Sequence, residues 1–463
     1  MKIVIAASEV VPFAKTGGLA DVAGALPVAL EDAGQEVIIV MPRYKAVSDA
    51  KFKIKRVSEN ISSSVTGSNI KVYFVENENY FNRDGLYGDK SADYPDNLDR
   101  FSYYCKRTLE LLKEINFKPD IIHVHDWQAS LIPVYLKTLY AKDAFFKGTR
   151  TLLTIHNIGY QGLFPKAEFP KLGLDWSYFG IDGLEFYDKV NILKGGMVFS
   201  NLINTVSATY SKEIQTKEFG FGLEGLLNKR RESVFGILNG LDYSIWNPDT
   251  DKFILKNYSP AGVKDKADDK EDLQKICKLP LKKDIPLFGI VSRLAEQKGF
   301  DILAEAIDDI CKLKVQLVIL GTGDIKYHQI LEERVKKYPK TISLQLKFDD
   351  TLAHKIYAGS DIFLMPSKYE PCGLGQLISL RYGTIPLVFK TGGLADTVKK
   401  DNGFVFDKYT SDALLKTVKS AIKAFEKKDK WLALAKRAMQ YNFSWEESAR
   451  KYLQLYAKAK KSS

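Results

Sequence analysis

A chain of 463 residues is too long for one compact core and suits two large α/β domains. Its 45% hydrophobic and 12% aromatic content excludes a disordered or fibrous protein, and no window of 18 apolar residues offers a membrane span. The net charge of +11 invites nucleic acid, but 14 basic and 5 acidic residues between Lys408 and Ser463 place +9 of it in the tail. There the charges recur among Leu414, Val418, Ile422 and Phe425 at helical spacing, which reads as solvated faces of amphipathic helices. No nucleic-acid partner is expected; attraction to an anionic surface stays open. Cys105, Cys277, Cys311 and Cys372 are scattered without a C-x-x-C pair, a reduced, cytoplasmic pattern with no disulfide or zinc framework.

In chain order, the opening run could pass for a leader, but Glu9 interrupts it, and a buried first strand over Lys2–Ala7 is expected. Further strands are expected at Glu36–Met41, Asp120–His125, Thr151–Ile155 and Leu202–Val206. The second half offers Leu287–Val291, Val315–Leu320, Ser343–Leu346, Ile362–Met365 and Ile385–Phe389. Helical periods lie between them, as in Phe300–Cys311 and Asp412–Phe425. Repeated βα units imply doubly wound parallel sheets with helices on both faces, one per domain. The domains are placed at 1–239 and 245–444, with a polar stretch, Lys264–Asp272, after the boundary. A last helix, about 445–463, is free to pack back onto the first domain. One heptapeptide occurs twice, Lys15-Thr-Gly-Gly-Leu-Ala-Asp21 and Lys390-Thr-Gly-Gly-Leu-Ala-Asp396, so each sheet is expected to present a Gly-Gly turn opening a helix.

In open parallel sheets ligands gather beyond the carboxyl ends of strands. Lys15, Gly17 and Gly18 stand there, before a helix beginning near Asp21: glycines admit a ligand, helix amides face an anion and lysine adds charge. The other reading is a structural turn. His123-Val-His125-Asp126-Trp127 ends a strand; its two histidines share a face and fit a metal pair, a polar edge facing sugar, or packing. Asp126 beside Trp127 suits carbohydrate, a carboxylate for hydroxyls and a ring for an apolar sugar face. His156-Asn157 repeats the arrangement one strand later. Arg293 and Lys298 flank a turn before a helix, as a diphosphate requires, although surface charges look the same. Gly321-Thr-Gly323 is not a dinucleotide fingerprint. Glu370-Pro-Cys372-Gly373-Leu374-Gly375 joins a strand to a helix with exposed turn amides. Asp249-Thr-Asp251 has the D-x-D form of metal-dependent transferases but falls in the interdomain stretch and reads as incidental.

Taken in order, these motifs, with Gly183-Leu-Glu-Phe, Leu238-Asn239-Gly-Leu-Asp and Thr391-Gly-Gly-Leu-Ala-Asp, closely resemble the bacterial and plant glycogen/starch synthase family nearly end to end. The resemblance implies a GT-B fold, two Rossmann-like domains with an interdomain cleft. It also implies glucosyl transfer with retention of configuration, with no cofactor and no obligatory metal. ADP-glucose is the implied donor, UDP-glucose its alternative, and glycogen or another α-1,4-glucan the acceptor. Carried over by motif, Lys15, Arg293 and Lys298 hold the diphosphate. Asp126, Asn239 and Glu370 address the glucosyl ring or its acceptor side, His156 lies beside the ring, and Tyr94 lies near the nucleotide or sugar. Gly17, Gly18, Asp21, Trp127, Cys372, Gly373, Leu374, Gly375 and Thr391 complete the expected substrate-binding set. Two departures stand out: Gly375 occupies a position where the family usually has Thr or another side chain, and Thr397–Gly403 is short. Rival readings are a glucan phosphorylase, which needs a longer chain and a pyridoxal-lysine motif absent here, a sugar-nucleotide epimerase, and a non-catalytic glucan- or nucleotide-binding scaffold. The scaffold predicts loss of Glu370, Arg293 or Lys298, and all three are present.

Overall fold

The structure is a computed structural model that describes residues 1–89 and 92–461. It has two compact units: Met1–Gly240 with the helix Trp445–Lys461, and Leu241–Ser444. Residues 462 and 463 of the expected last helix lie outside the described residues.

The first unit holds a nine-stranded sheet. From one edge its strands are Val234–Gly236, Leu202–Thr205, Arg150–Ile155, Ile121–His125, Lys2–Ala6, Glu36–Pro42, Ile70–Val75, Ile61–Thr66 and Lys55–Ser58. The first seven run parallel; Ile61–Thr66 pairs antiparallel with Ile70–Val75, and Lys55–Ser58 antiparallel with Ile61–Thr66. Ile3, Val4 and Ile5 are fully buried, since a strand covered on both faces reads as continuous apolar sequence. Lys2–Ala6 lies between Glu36–Pro42 and Ile121–His125, so the chain reverses direction across the sheet beside it. That topological switch point opens a crevice beyond Ala6 and His125.

The last helix belongs to this unit. It buries Trp445, Ala449, Tyr452, Tyr456 and Ala459. Each buried tyrosine hydroxyl finds a partner in the sheet: Tyr456 with His123 Nδ1 at 2.8 Å, and Tyr452 accepting from Asn204 Nδ2 at 3.1 Å.

The second unit is a six-stranded, all-parallel sheet. Its order is Ile342–Gln345, Gln316–Leu320, Leu287–Val291, Ile362–Met365, Ile385–Phe389 and Phe404–Phe406. The switch point lies between Leu287–Val291 and Ile362–Met365, the strands that lead into the Arg293 and Glu370 turns. Helix Ser411–Phe425 buries Leu414, Val418, Ala421 and Phe425 and leaves Lys416, Lys419 and Lys423 exposed, so its charge is a solvated face.

The polar Lys264–Asp272 stretch is mostly helix, Lys266–Ile276, and its polar groups turn inward. Lys266 Nζ donates to the Tyr357 and Ala358 carbonyls at the end of helix Asp350–Gly359, where the helix dipole welcomes a cation. Lys270 pairs with Asp361 at 2.7 Å, and Asp269 accepts from the amides of Leu255 and Lys256. Asp251 of the D-x-D is likewise committed, accepting from Tyr382 at 2.6 Å and meeting His354 Nδ1 at 2.7 Å.

Candidate active site

The switch-point crevice of the first unit gathers several expected residues around one that the sequence did not single out. Glu9, 4% exposed, accepts from the Thr16 amide, from Thr16 Oγ1 at 2.6 Å, from the Gly17 amide at 3.2 Å and from Tyr87 OH at 2.6 Å. The Thr16 and Gly17 amides, just ahead of the helix that starts at Gly18, are therefore satisfied by an internal carboxylate. Lys15 is paired with Asp21 at 2.7 Å, and the helix opens at Gly18 rather than near Asp21. A Cβ added at Gly17 or Gly18 would meet nothing within 4 Å, so the fold itself does not demand either glycine. Tyr94 joins this group through its amide, which donates to Tyr87 O at 2.9 Å, while the guanidinium groups of Arg83 and Arg100 lie 4.8 and 5.0 Å from its ring centre.

Asp126 follows Ile121–His125 in a left-handed conformation, φ +54°. Its carboxylate accepts from the His156 amide at 2.7 Å. Burial pushes its pKa up to about 7, against the pull of the His156 and Asn157 amides. Asp126 therefore holds its proton more tightly when folded, and stability falls as pH rises from the ordinary carboxylate range to about 7. Asp126→Asn keeps an amide acceptor and suits a left-handed backbone. It should stabilise the fold by about 4 kcal/mol at pH 8, shrinking to about 1–2 kcal/mol at pH 5, in paired denaturant melts. A pH-independent difference would contradict this account.

His123 and His125 are fully buried, which corrects the metal-pair and sugar-edge readings in favour of packing. His123 is held by Tyr456 and by Thr154 Oγ1 at 2.7 Å, and His125 Nδ1 meets His156 Nε2 at 2.9 Å. Burial lowers His123 and His156 to about 3 and His125 well below its usual range, so all three are neutral near pH 7. His125 Nε2 is buried without a partner. An orphaned acceptor costs less than an orphaned N–H. Hydrogen-bond accounting thus assigns the His125 proton to Nδ1, donating to His156, and leaves half-buried His156 with an Nδ1–H.

Trp127 corrects the sugar-stacking reading. The residue is 8% exposed, its ring packed edge-on to Phe101 and Phe164, and an added Cβ on Gly162 would run into it. Asn239 is 6% exposed with its amide oxygen buried and unpaired.

In the second unit a cavity of about 240 Å³ opens at the switch point. Ser292, Arg293, Lys298, Ser367 and Glu370 line its polar side, and Phe300, Leu303, Tyr357 and Phe363 its floor. Lys298 Nζ is 2.7 Å from Glu370 Oε2, which also accepts from Ser367 Oγ at 2.9 Å. Their side chains are 18% and 8% exposed, so Lys298 is no surface charge. Arg293 is exposed and has no ion-pair partner among the described residues. Glu370 precedes helix Gly375–Arg381 by a full turn, and Leu374 is that helix's N-cap, so Glu370 does not cap it. Gly373 holds the turn at φ +73°. Cys372 is 6% exposed, its carbonyl accepting from Gln376 Nε2 at 3.0 Å.

The repeated heptapeptide serves a different purpose here. A Cβ on Gly392 would collide with the Glu370 carbonyl and one on Gly393 with the Cys372 carbonyl. This copy braces the Glu370–Cys372 turn from behind. Thr391 is accordingly 1% exposed. The short 397–403 segment closes on itself, Asn402 bonding the Lys399 amide at 2.7 Å and the Thr397 carbonyl at 3.0 Å.

Gly375 has an ordinary negative φ, so no left-handed strain forbids a side chain there. A Cβ would instead stand 2.9 Å from the Phe363 ring and 3.3 Å from Tyr357 OH. Gly375→Thr should therefore destabilise the unit by about 1–3 kcal/mol through overpacking, and adding Phe363→Leu should recover part of that loss in thermal melts. An unchanged Tm for the single variant would contradict the steric account.

Two doubly wound sheet units with polar residues gathered at each switch point are those of the GT-B glycosyltransferase class, and the likenesses to known proteins show that class. The comparisons agree: a starch synthase catalytic domain family matches residues 2–229, and a glycosyl transferases group 1 family matches residues 271–438. A glycogen synthase of Geotalea uraniireducens is 49% identical over 98% of both chains, and one of Thermotoga petrophila is 47% identical over 99% of both. The catalytic domain of starch synthase IV from Arabidopsis thaliana, bound to ADP and acarbose, superposes with a TM-score of 0.90 at 33% identity, covering 99% of each chain. The chain belongs to the glycogen synthase family and is a glucosyltransferase.

Proposed function

We propose that the chain transfers glucose from ADP-glucose to the non-reducing end of an α-1,4-glucan with retention of configuration. The observation that carries this reading is the second unit's cavity, with unpaired Arg293 and the Lys298–Glu370 pair on facing turns. A departing diphosphate needs cations placed in advance, and a glucosyl ring gaining positive charge needs a nearby carboxylate. Arg293 and Lys298 hold the diphosphate; in the first unit Lys15 exchanges Asp21 for phosphate. Glu370 holds sugar hydroxyls and offsets charge on the ring. The backbone of Cys372, Gly373, Leu374 and Gly375 lines the donor side. Neutral His156 donates from Nδ1 to a sugar hydroxyl, Asp126 accepts from another, and Asn239 donates from its Nδ2. ADP is favoured over UDP because the 33%-identical starch synthase carries ADP, whereas the Anabaena HepE protein in complex with UDP-glucose is 15% identical and shares only the fold.

Among the described residues no group of three or more His, Cys, Asp or Glu is placed to hold a metal. Transfer should accordingly proceed at full rate in EDTA, with an α-configured product by proton NMR. Activity lost in EDTA and restored by magnesium or manganese, or a β product, would overturn this reading. Four free cysteines suit action in the cytoplasm, and no helix among the described residues is long and apolar enough to cross a membrane.

A further inference from the structure

The Gly321-Thr322-Gly323 turn does not line the second unit's cavity, yet it is locked to the turn that carries Arg293. The pairing of Leu287–Val291 with Gln316–Leu320 runs on past both strand ends. The Ser292 amide donates to the Leu320 carbonyl at 3.1 Å, the Leu294 amide to the Thr322 carbonyl at 3.0 Å and the Asp324 amide back to the Leu294 carbonyl at 2.8 Å. Both glycines are required by this approach: a Cβ on Gly321 would collide with the Ser292 carbonyl, and one on Gly323 with the Leu294 carbonyl. Leu294 is fully buried, so Arg293 stands exposed between two anchored neighbours.

On a strand paired at both sides, successive amides point to opposite neighbours. The amides of Leu317 and Gly321 accordingly face away from the Arg293 turn, to the Thr341 and Gln345 carbonyls at 2.8 and 3.0 Å. Gly323 is next in that row. There the neighbouring chain has turned off, its Lys347 amide closing back onto the Gln345 carbonyl at 3.0 Å. A side chain supplies the acceptor instead: His328 Nε2 takes the Gly323 amide at 3.0 Å. His328 lies one turn into helix Ile325–Lys337 and is half-buried. Because Nε2 accepts a backbone N–H, it carries no proton of its own.

We propose that His328 is a positioning residue for Arg293. By completing the hydrogen-bond row behind the Gly321–Gly323 turn, it fixes the brace that aims the Arg293 guanidinium at a diphosphate. An exposed guanidinium owes its aim to the backbone that carries it, and a misplacement of about 1 Å can cost 10²-fold in rate. The inference rests on the reading of Arg293 as a diphosphate ligand and extends it to the residue that holds Arg293 in place.

The test is a double-mutant cycle on wild type, His328→Leu, Arg293→Ala and the double variant. Calorimetry reads it, with whichever of ADP and UDP the wild type binds more tightly. Leucine keeps bulk at the site but offers no acceptor, and His328→Gln restores one. His328→Leu should weaken nucleotide binding about three- to tenfold, the scale of one hydrogen bond, and His328→Gln by less than about twofold. In the Arg293→Ala background His328→Leu should change affinity by less than about twofold, because the cation it aims is gone. In rate assays His328→Leu should raise KM for the nucleotide-glucose and leave KM for glycogen within about twofold, a split that a loosened fold would not produce. The calorimetric cycle needs no turnover, so it decides this proposal apart from the transfer reaction. Equal weakening by His328→Leu with and without Arg293, or glutamine no better than leucine, would overturn it. An Arg293→Ala variant that binds the nucleotide as tightly as wild type would overturn the diphosphate reading, and the proposal with it.

Discussion

Glu370→Gln is expected to lower kcat with glycogen by about 10³-fold or more while ADP binds as tightly as before or more tightly. The substitution keeps the side chain's shape and its bond from Ser367, but deletes the charge 2.7 Å from Lys298. Charge opposite an oxocarbenium-like ring matters most in the transition state, so the loss falls on kcat rather than on ground-state affinity. Lys298, freed from its counter-ion, then offers its whole charge to the diphosphate. Calorimetry with ADP and initial rates on one preparation check both halves. A variant with normal kcat and a lowered Tm would reduce Glu370 to a structural partner of Lys298.

Arg293→Ala and Lys298→Ala should each lower kcat/KM by about 10²-fold, roughly 3 kcal/mol, the scale of one preorganised electrostatic contact. Their stabilities should separate them. Arg293 is exposed, and its removal should change stability by less than about 0.5 kcal/mol. The sequence suggests the same for Lys298, but the structure corrects it: removing Lys298 strands a carboxylate that is 8% exposed. A loss of about 2 kcal/mol or more follows, and Glu370→Gln added to Lys298→Ala should regain part of it. Two single variants with near wild-type rates would make these cations solvated charges only.

Much of the fold is legible because buried parallel strands write themselves as uninterrupted apolar runs. Leu287–Val291 and helix Phe300–Cys311 occupy the residues expected of them. Ile61–Thr66 is harder to see, since Ser62, Ser63 and Ser64 break any apolar alternation on a strand near the sheet edge. The site divides in the same way. Turns after strands announce themselves through glycine and charge, and Arg293, Lys298 and Glu370 do line one cavity. What a side chain there touches depends on partners far along the chain. Glu9 meets Tyr87 across 78 residues and Lys298 meets Glu370 across 72. In the sequence Glu9 is only the residue that breaks an apolar run. Trp127 beside Asp126 reads alike whether its ring faces sugar or core; only Phe101, Phe164 and Gly162 decide. The heptapeptide makes the same point twice over, open above Gly17 and Gly18 and packed solid behind Gly392 and Gly393.

Glucosyl transfer from ADP-glucose to an α-glucan is the reaction proposed for this chain. Its most direct test incubates the protein with glycogen and either ADP-glucose or UDP-glucose, and measures the nucleoside diphosphate released together with the glucose incorporated. Release should be matched one to one by incorporation, with ADP-glucose used at least about tenfold faster, a difference of about 1.4 kcal/mol in transition-state binding. Faster turnover of UDP-glucose, or nucleotide release without glucan growth, would contradict it.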